Sequence, residues 1–459
     1  IPGFMPQSKL LGQSDGFTAP GWDFIAGFQP NLEGQNNWLL RNQEWFNPSK
    51  KFNEGLIQTK RHSIDVKTLI EPFKDFSIDI SLKKNYQQTH NEVFRKTEKT
   101  GDDFQQLALY DVGSYDASFY ALNTLFKDSR GLYELFKSNR EIIARRLPNI
   151  DNPGVYEQDP HYPGGYGPTN INVTVPAFIA TYTNQSPYDV ELDQVAVYSK
   201  NTFIPLPNWQ LNYAGLSKIP SIRKHFSNIT IKHGYASTIR VSSFQTSPLY
   251  DINDPFGELS PNSNYFSRLE VPAVIIQEQF VPVLGISLKT IKDLKMDFDF
   301  KMSRNLTIDV AQLRETKAKE ISVGAGYVLK NFKAFKKNKK SSKKKKNQED
   351  DDANKKSGGI FGNLIKDKGT SAQGKDLKIN LTYSLKDDIS EVYDLQTGVD
   401  GQSNRGQKTV TFSPNVEYDV NKNLALRFFF DYSKTLPRTT LSFPTTTIRS
   451  GVTLRFSIN

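Results

Sequence analysis

The chain has 459 residues, no cysteine, 31 Phe and 20 Tyr. Without thiols it can build neither a disulfide framework nor a thiolate metal site, and it has no run of about 18 apolar residues to form a membrane-crossing helix. The net charge of +10 would suit a nucleic-acid binder, but residues 333–356 hold 11 Lys against four acids, so the remainder carries only 10 − 7 = +3. That is a local tract, not the distributed basic stripe of a nucleic-acid interface, and no nucleic acid is expected as a partner.

The first residues show no basic segment followed by an apolar run, hence no signal peptide. They open inside what reads as a motif, as a piece of something longer would. TAPGWDFIAGFQ carries Trp22 and Phe24, candidates for a seam or partner contact because the Pro-Gly pair suggests a bend at a sheet edge. Strand alternation begins at Phe76, Ile78, Ile80 and Leu82, which share one face of a stretch spanning 75–90.

Between 120 and 205 the period changes. Leu132, Phe136, Ile143 and Leu147 recur at helical spacing, with Pro148 ending the run. A Pro-, Gly- and Tyr-rich loop follows, and VPAFIATYT (175–183) is compatible with either a short helix or a strand. A lone amphipathic helix must bury its stripe, so this insertion is expected to cap the extracellular rim, pack on the lumen wall, or meet a partner or cargo directly. Its four stripe residues are the candidates for gating or capping.

Alternation resumes with Ile229, Ile231, Tyr235, Ile239 and Val241. In LKMDFDFKM (294–302) Leu294, Met296, Phe298, Phe300 and Met302 oppose Lys295, Asp297, Asp299 and Lys301, four candidates for a water-filled lumen. Ile321 to Leu329, Leu377 to Leu385, Leu424 to Tyr432 and Ile448 to Ile458 repeat the pattern, for about a dozen to fourteen antiparallel strands. The apolar register of 294–302 runs on through Leu306, Ile308 and Val310, and that of 377–385 through Ile389, Tyr393 and Leu395. Each is therefore either a tight hairpin or one very long strand. The two alternatives put the lysine tract on opposite sides of a membrane. That tract itself reads as a solvated loop, or as a contact for anionic lipid headgroups or an acidic partner.

Five histidines, His62, His90, His161, His225 and His233, show no metal spacing, and no nucleophile elbow or phosphate loop occurs. His233 falls on an apolar strand face and reads as a hydrogen-bonded structural residue; the glycines of VGAGYV (323–328) read as strand positions with a close neighbour. No catalytic residue, metal or cofactor is assigned, and an enzyme is not expected. Strands longer than about five or six residues, aromatics near strand ends (Tyr383, Tyr432, Phe443) and a highly charged second face favour a membrane barrel over a soluble sheet.

Several stretches together resemble the SprA/Sov family, the outer-membrane translocon of the type IX secretion system in Bacteroidetes. They are PGFMPQSKLLGQSDGFTAPGWDFIAGFQPN, PNWQLNYAGLSKIP (207–220), ITIKHGYASTIRVSSF (229–244), LTIDVAQLRETKAKEISVGAGYVLKNF (306–332) and the closing NVEYDVNKNLALRFFFDYSKTLPRTTLSFPTTTIRSGVTLRFSIN. The resemblance implies a C-terminal portion of a very large single-chain barrel in the outer membrane, wide enough to pass folded cargo proteins. It also implies lateral release towards a PorV-type barrel and a periplasmic plug protein, beside the surrounding outer-membrane lipid.

The expected fold is thus all-β, an antiparallel transmembrane β-barrel wall with a partly helical loop insertion. Residues 1–119 supply the first strands, 120–205 the insertion, 206–332 further strands, 333–374 the lysine loop and 375–459 the last strands. A TonB-dependent uptake barrel and a surface β-adhesin are the alternatives.

Overall fold

The computed structural model describes residues 29–32, 37–98, 103–147, 154–192, 205–251, 254–332, 375–397, 405–421, 424–439 and 442–456. Trp22, Phe24 and the lysine tract lie outside them.

Thirteen strands form one antiparallel sheet: β1 (Leu56–Phe73), β2 (Phe76–Lys96), β3 (Phe104–Ser118), β4 (Asn208–Tyr213), β5 (Phe226–Thr246), β6 (Leu269–Glu270), β7 (Val274–Thr290), β8 (Lys295–Ile308), β9 (Gln312–Phe332), β10 (Lys375–Asp394), β11 (Arg405–Asn421), β12 (Leu424–Pro437) and β13 (Thr445–Phe456). Among the described residues the path runs from β1 to β13 and does not close on itself. The chain is all-β, one long antiparallel sheet with a partly helical insertion. Both stretches that could have been hairpins are single strands, β8 and β10; β8 ends at Ile308, and Val310 lies beyond it, exposed.

Registration makes the two faces explicit. One rung reads Phe73–Phe76–Tyr213–Ile231–Ile286–Phe298–Val323–Tyr383–Phe412–Tyr432–Ile448 across eleven strands. The adjoining rung, one residue along each strand, reads Ser77–Asn212–Lys232–Gly285–Asp299–Ser322–Ser384–Thr411–Ser433–Thr447. Successive strand residues point to opposite faces, so the first rung is a continuous apolar belt and the second is wholly polar or glycine.

The apolar belt spans nine residues of each of the last five strands: 321–329, 377–385, 410–418, 424–432 and 448–456. Its side chains are largely uncovered; Phe428 is 48% exposed and Leu454 62%. The strands are longer than the belt and continue past it at one end, the end at which β9 begins and β10 finishes. The connections leading to the lysine tract, Phe332 and Lys375, pair with one another at the other end.

Candidate functional site

The polar face holds the four expected lumen residues, Lys295, Asp297, Asp299 and Lys301, on β8. Their neighbours are short or charged: Asp299 lies opposite Gly285 and Ser322, and Asp297 opposite Ser287 and Gly324. Ion pairs on this face are long or exposed, with Lys301 4.0 Å from Glu320, Lys378 3.4 Å from Asp419 and Arg449 3.1 Å from Asp431. Such pairs stabilise little, about 0–1 kcal/mol, and leave a hydrated surface of both signs. Two open grooves of about 600 and 800 Å³ are lined from here, the first by Lys67, Asp79, Gln210 and Gln279, the second by Ser413, Arg427, Asp431 and Arg449.

The insertion leaves the wall in mid-strand. β3 pairs with the middle and later part of β2, and β4 takes over the same place in the sheet lower down, pairing with both β2 and β5. At the break, side chains replace missing ladder bonds: Ser118 Oγ accepts from the Lys83 N–H (3.1 Å), and Asn208 Oδ1 accepts from the Ser237 N–H (2.8 Å). Buried backbone donors need such partners. No sequence signal marks this split, because β3 and β4 are separated by the whole insertion.

Of the helices, α1 (Trp38–Arg41) precedes the sheet, while α2 (Leu122–Leu125), α3 (Ser129–Arg146) and α4 (Ile171–Tyr182) belong to the insertion. Asp128 caps α3, accepting from the Gly131 N–H at 2.8 Å. The ambiguous segment 175–183 falls mostly in α4, which is buried on all sides from Val173 to Tyr182, so a helix apolar all round is stable there. Leu132, Phe136 and Ile143 join α4 and strand residues Tyr115, Ile239, Ile276, Leu306 and Tyr393 in one core. Leu147 belongs to a second cluster with Tyr156, Tyr162, Tyr166 and Tyr265. In that loop Gly165 has φ +82, and a Cβ there would meet the Tyr265 ring at 2.1 Å, so the position requires glycine.

Which face the insertion covers follows from β8. Arg304, Leu306 and Ile308 are buried beneath it, and the same parity continues without a bulge to Met302, Phe300, Phe298 and Met296 in the apolar belt. The insertion therefore lies against the face opposite Lys295–Lys301, outside any conduit those residues line. Of the positions expected for it, packing within the conduit is the one this geometry opposes.

A buried ionic cluster fastens it there. Arg304 Nε and Nη2 donate to Glu278 Oε2 at 3.0 and 2.7 Å, and Nη2 reaches Thr124 Oγ1 of α2 at 2.8 Å. Tyr235 donates to Glu278 Oε1 at 2.7 Å, while Glu315 lies 3.7 Å from Arg304 and 3.2 Å from Lys317. Along α3 itself, Tyr133 near its start stacks on Tyr393 with centroids 4.0 Å apart, and Arg140 in its middle donates from Nη1 to the Leu395 carbonyl (3.0 Å).

Residues 37–55 are not strand: Leu39 and Phe46 pack on Phe94 of β2. Near them His90 Nδ1 sits 2.8 Å from Asp111, and its Nε2 lies 3.6 Å from Glu92, all three buried. Burial alone would lower the imidazole, but the two carboxylates outweigh it and raise it to about 9. Burial would likewise raise Asp111, but its bond to His90 and the nearby Gln88 and Arg268 hold it below the usual carboxylate range. His233 is structural: its Nδ1 contacts the Val283 carbonyl at 2.7 Å.

Neither ionic cluster was singled out from sequence. Their signal is an ionisable residue at apolar parity, such as Arg304 between Met302 and Leu306 or Glu278 between Ile276 and Phe280. Among the described residues no group of His, Cys, Asp or Glu is placed to hold a metal ion, and no helix is long and apolar enough to cross a membrane.

No protein-family model and no curated protein matches the chain. Among solved structures, OmpT, an outer membrane protein of Vibrio cholerae folded in vitro and seen in its trimer form, is similar at 9% identity and a TM-score of 0.21, over 88% of this chain and 99% of that one. At that score nothing about this chain follows from the likeness.

Proposed function

We propose that this chain is part of the wall of a large outer-membrane β-barrel that conducts folded proteins to the cell surface, as its resemblance to the SprA/Sov translocons implies. The observation that carries the membrane reading is the pair of adjoining rungs, one apolar and one polar, unbroken across the sheet. Water does not tolerate an uncovered apolar belt of that extent, and nine tilted residues match the span of a transmembrane strand. A barrel also requires its edges to be paired in lipid. Among the described residues β1 and β13 stand apart, and in the large single-chain ring that the resemblance implies a wide lumen follows from strand number.

In this reading the polar face lines the conduit, and selectivity arises from its mixed charge. With the C-terminal end of β13 in the periplasm, the insertion projects at the cell surface and the lysine tract is periplasmic, where the plug protein would meet it. A PorV-type barrel and the cargo remain the proposed protein partners.

The absence of cysteine permits a direct test on the full-length protein. Single replacements Ser322→Cys and Val323→Cys sit side by side on β9, facing opposite ways. In vesicles a water-soluble maleimide should label the first and a lipid-dissolved one the second. Equal labelling of both by the aqueous reagent would instead mean a soluble sheet of the adhesin kind. In secreting cells a bulky maleimide at Ser322→Cys should reduce export of cargo; full export from labelled protein would remove the conducting role.

A further inference from the structure

On β9 to β12 the belt has a cationic border at the insertion end. On β10, β11 and β12 its aromatic row is Tyr383, Phe412 and Tyr432. Two to four residues further towards the insertion end, on the same face, stand Lys319 of β9, Asp387 of β10, Lys408 of β11 and Lys434 of β12. Asp387 is taken by Arg438, whose Nη2 lies 2.7 Å from both carboxylate oxygens. Among the described residues Lys319, Lys408 and Lys434 have no carboxylate within ion-pair distance, so the border has a net +3 from four cations and one acid. At the same end the insertion presents Phe126, 68% exposed and 6.2 Å from the ring of Phe280, with Lys127 following it. Phe443, 85% exposed, lies in the β12–β13 connection at that end as well.

Apolar belt, aromatic row and unpaired ammonium groups, in that order, match the layers of a leaflet from acyl chains to headgroups. Lysine stems can lie along the belt while their charged ends reach outward. We propose that Lys319, Lys408 and Lys434 form a docking surface for lipids with net-anionic phosphate headgroups in the leaflet beside the insertion. The proposal rests on the membrane reading above and adds to it a lipid class and a side.

The test places the full-length protein in nanodiscs of phosphatidylcholine mixed with phosphatidic acid, and native mass spectrometry reads the lipid retained. Phosphatidic acid should be enriched. Each of Lys319→Gln, Lys408→Gln and Lys434→Gln should lower the enrichment about fivefold, the equivalent of about 1 kcal/mol per basic residue at an anionic surface. Lys295→Gln with Lys301→Gln, on the polar face, should leave it unchanged. Enrichment that survives in the triple variant, or that falls equally with the polar-face pair, overturns the docking surface while the wall stands. Displacement of the enriched lipid by inorganic phosphate would mean a soluble-anion site and overturns it too. A protein that never enters the nanodisc overturns both readings.

Discussion

One face of this sheet meets two environments. Towards the far end it is an uncovered belt of Phe, Ile, Leu and Tyr; towards the insertion end the same face lies under α2, α3 and α4 and carries Glu278, Arg304 and Glu315. On the membrane reading proposed above, the difference separates what lipid can do from what protein must do. Hydrocarbon solvates an apolar face without further structure, but it cannot accommodate charges such as those of β7 to β9. There the chain supplies its own cover, and the charges that an aqueous rim would tolerate singly become paired and buried.

The largest expected effect tests the covered half. Arg304→Ala strands Glu278 in a site with 1% exposure, and breaking a buried pair in this way costs about 3–5 kcal/mol. Limited proteolysis of the full-length protein in vesicles should then cleave the insertion while the belt stays protected. Arg304→Met combined with Glu278→Leu should restore much of the resistance, because a pair replaced by apolar groups leaves no orphaned charge. Equal sensitivity of the single and double variants would mean that packing, not charge, holds the insertion.

A smaller effect separates the two faces of the uncovered half. Phe428 is at the centre of its nine-residue segment on the apolar face, while Phe429 faces the polar groove beside Arg427 and Asp431. Phe428→Arg should destabilise folding into vesicles by about 2–4 kcal/mol, the depth-dependent cost of a cation at the bilayer midplane. Phe429→Arg, in the groove lining opposite Gly451, puts its charge on the polar face and should cost clearly less. Urea titrations of vesicle-folded protein read both, and similar losses would erase the distinction between lipid and lumen faces.

These contrasts also explain what was legible beforehand. Period-2 alternation is a local property, so Phe298, Val323 and Tyr383 announced their common face without any knowledge of their neighbours. The α3 stripe was equally local, and Leu132, Phe136 and Ile143 are buried together. The choice between hairpin and long strand was not local. Ser303-Arg304-Asn305 reads as a polar turn until Glu278 on the adjacent strand and Thr124 in the insertion are brought to it by the fold. The split of one strand position between β3 and β4 depends on residues about ninety apart, and the face that the insertion covers depends on where Ser118 leaves the sheet. Periodicity carries none of that.

The most confined effect concerns His90, buried on β2 beside Leu32, Gln58 and Gln88. Its imidazole is raised from 6.5 to about 9, so the stability it contributes is complete below about pH 6.5 and is lost as pH rises through about 9. Asp111 is lowered from 3.8, so its contribution is present above that value and is lost as pH falls below it. This part of β2 should therefore be held most firmly between those limits, and the protection of residues 88–94, that is amide exchange relative to the intrinsic base-catalysed rate at each pH, should fall on the alkaline side. In His90→Gln that loss of protection should vanish, because the remaining side chain does not titrate, whereas protection in α3 should match the parent's at every pH. A change of α3 protection in the variant as well would mean that this edge of the sheet and the insertion are one cooperative unit rather than separate pieces on a common sheet.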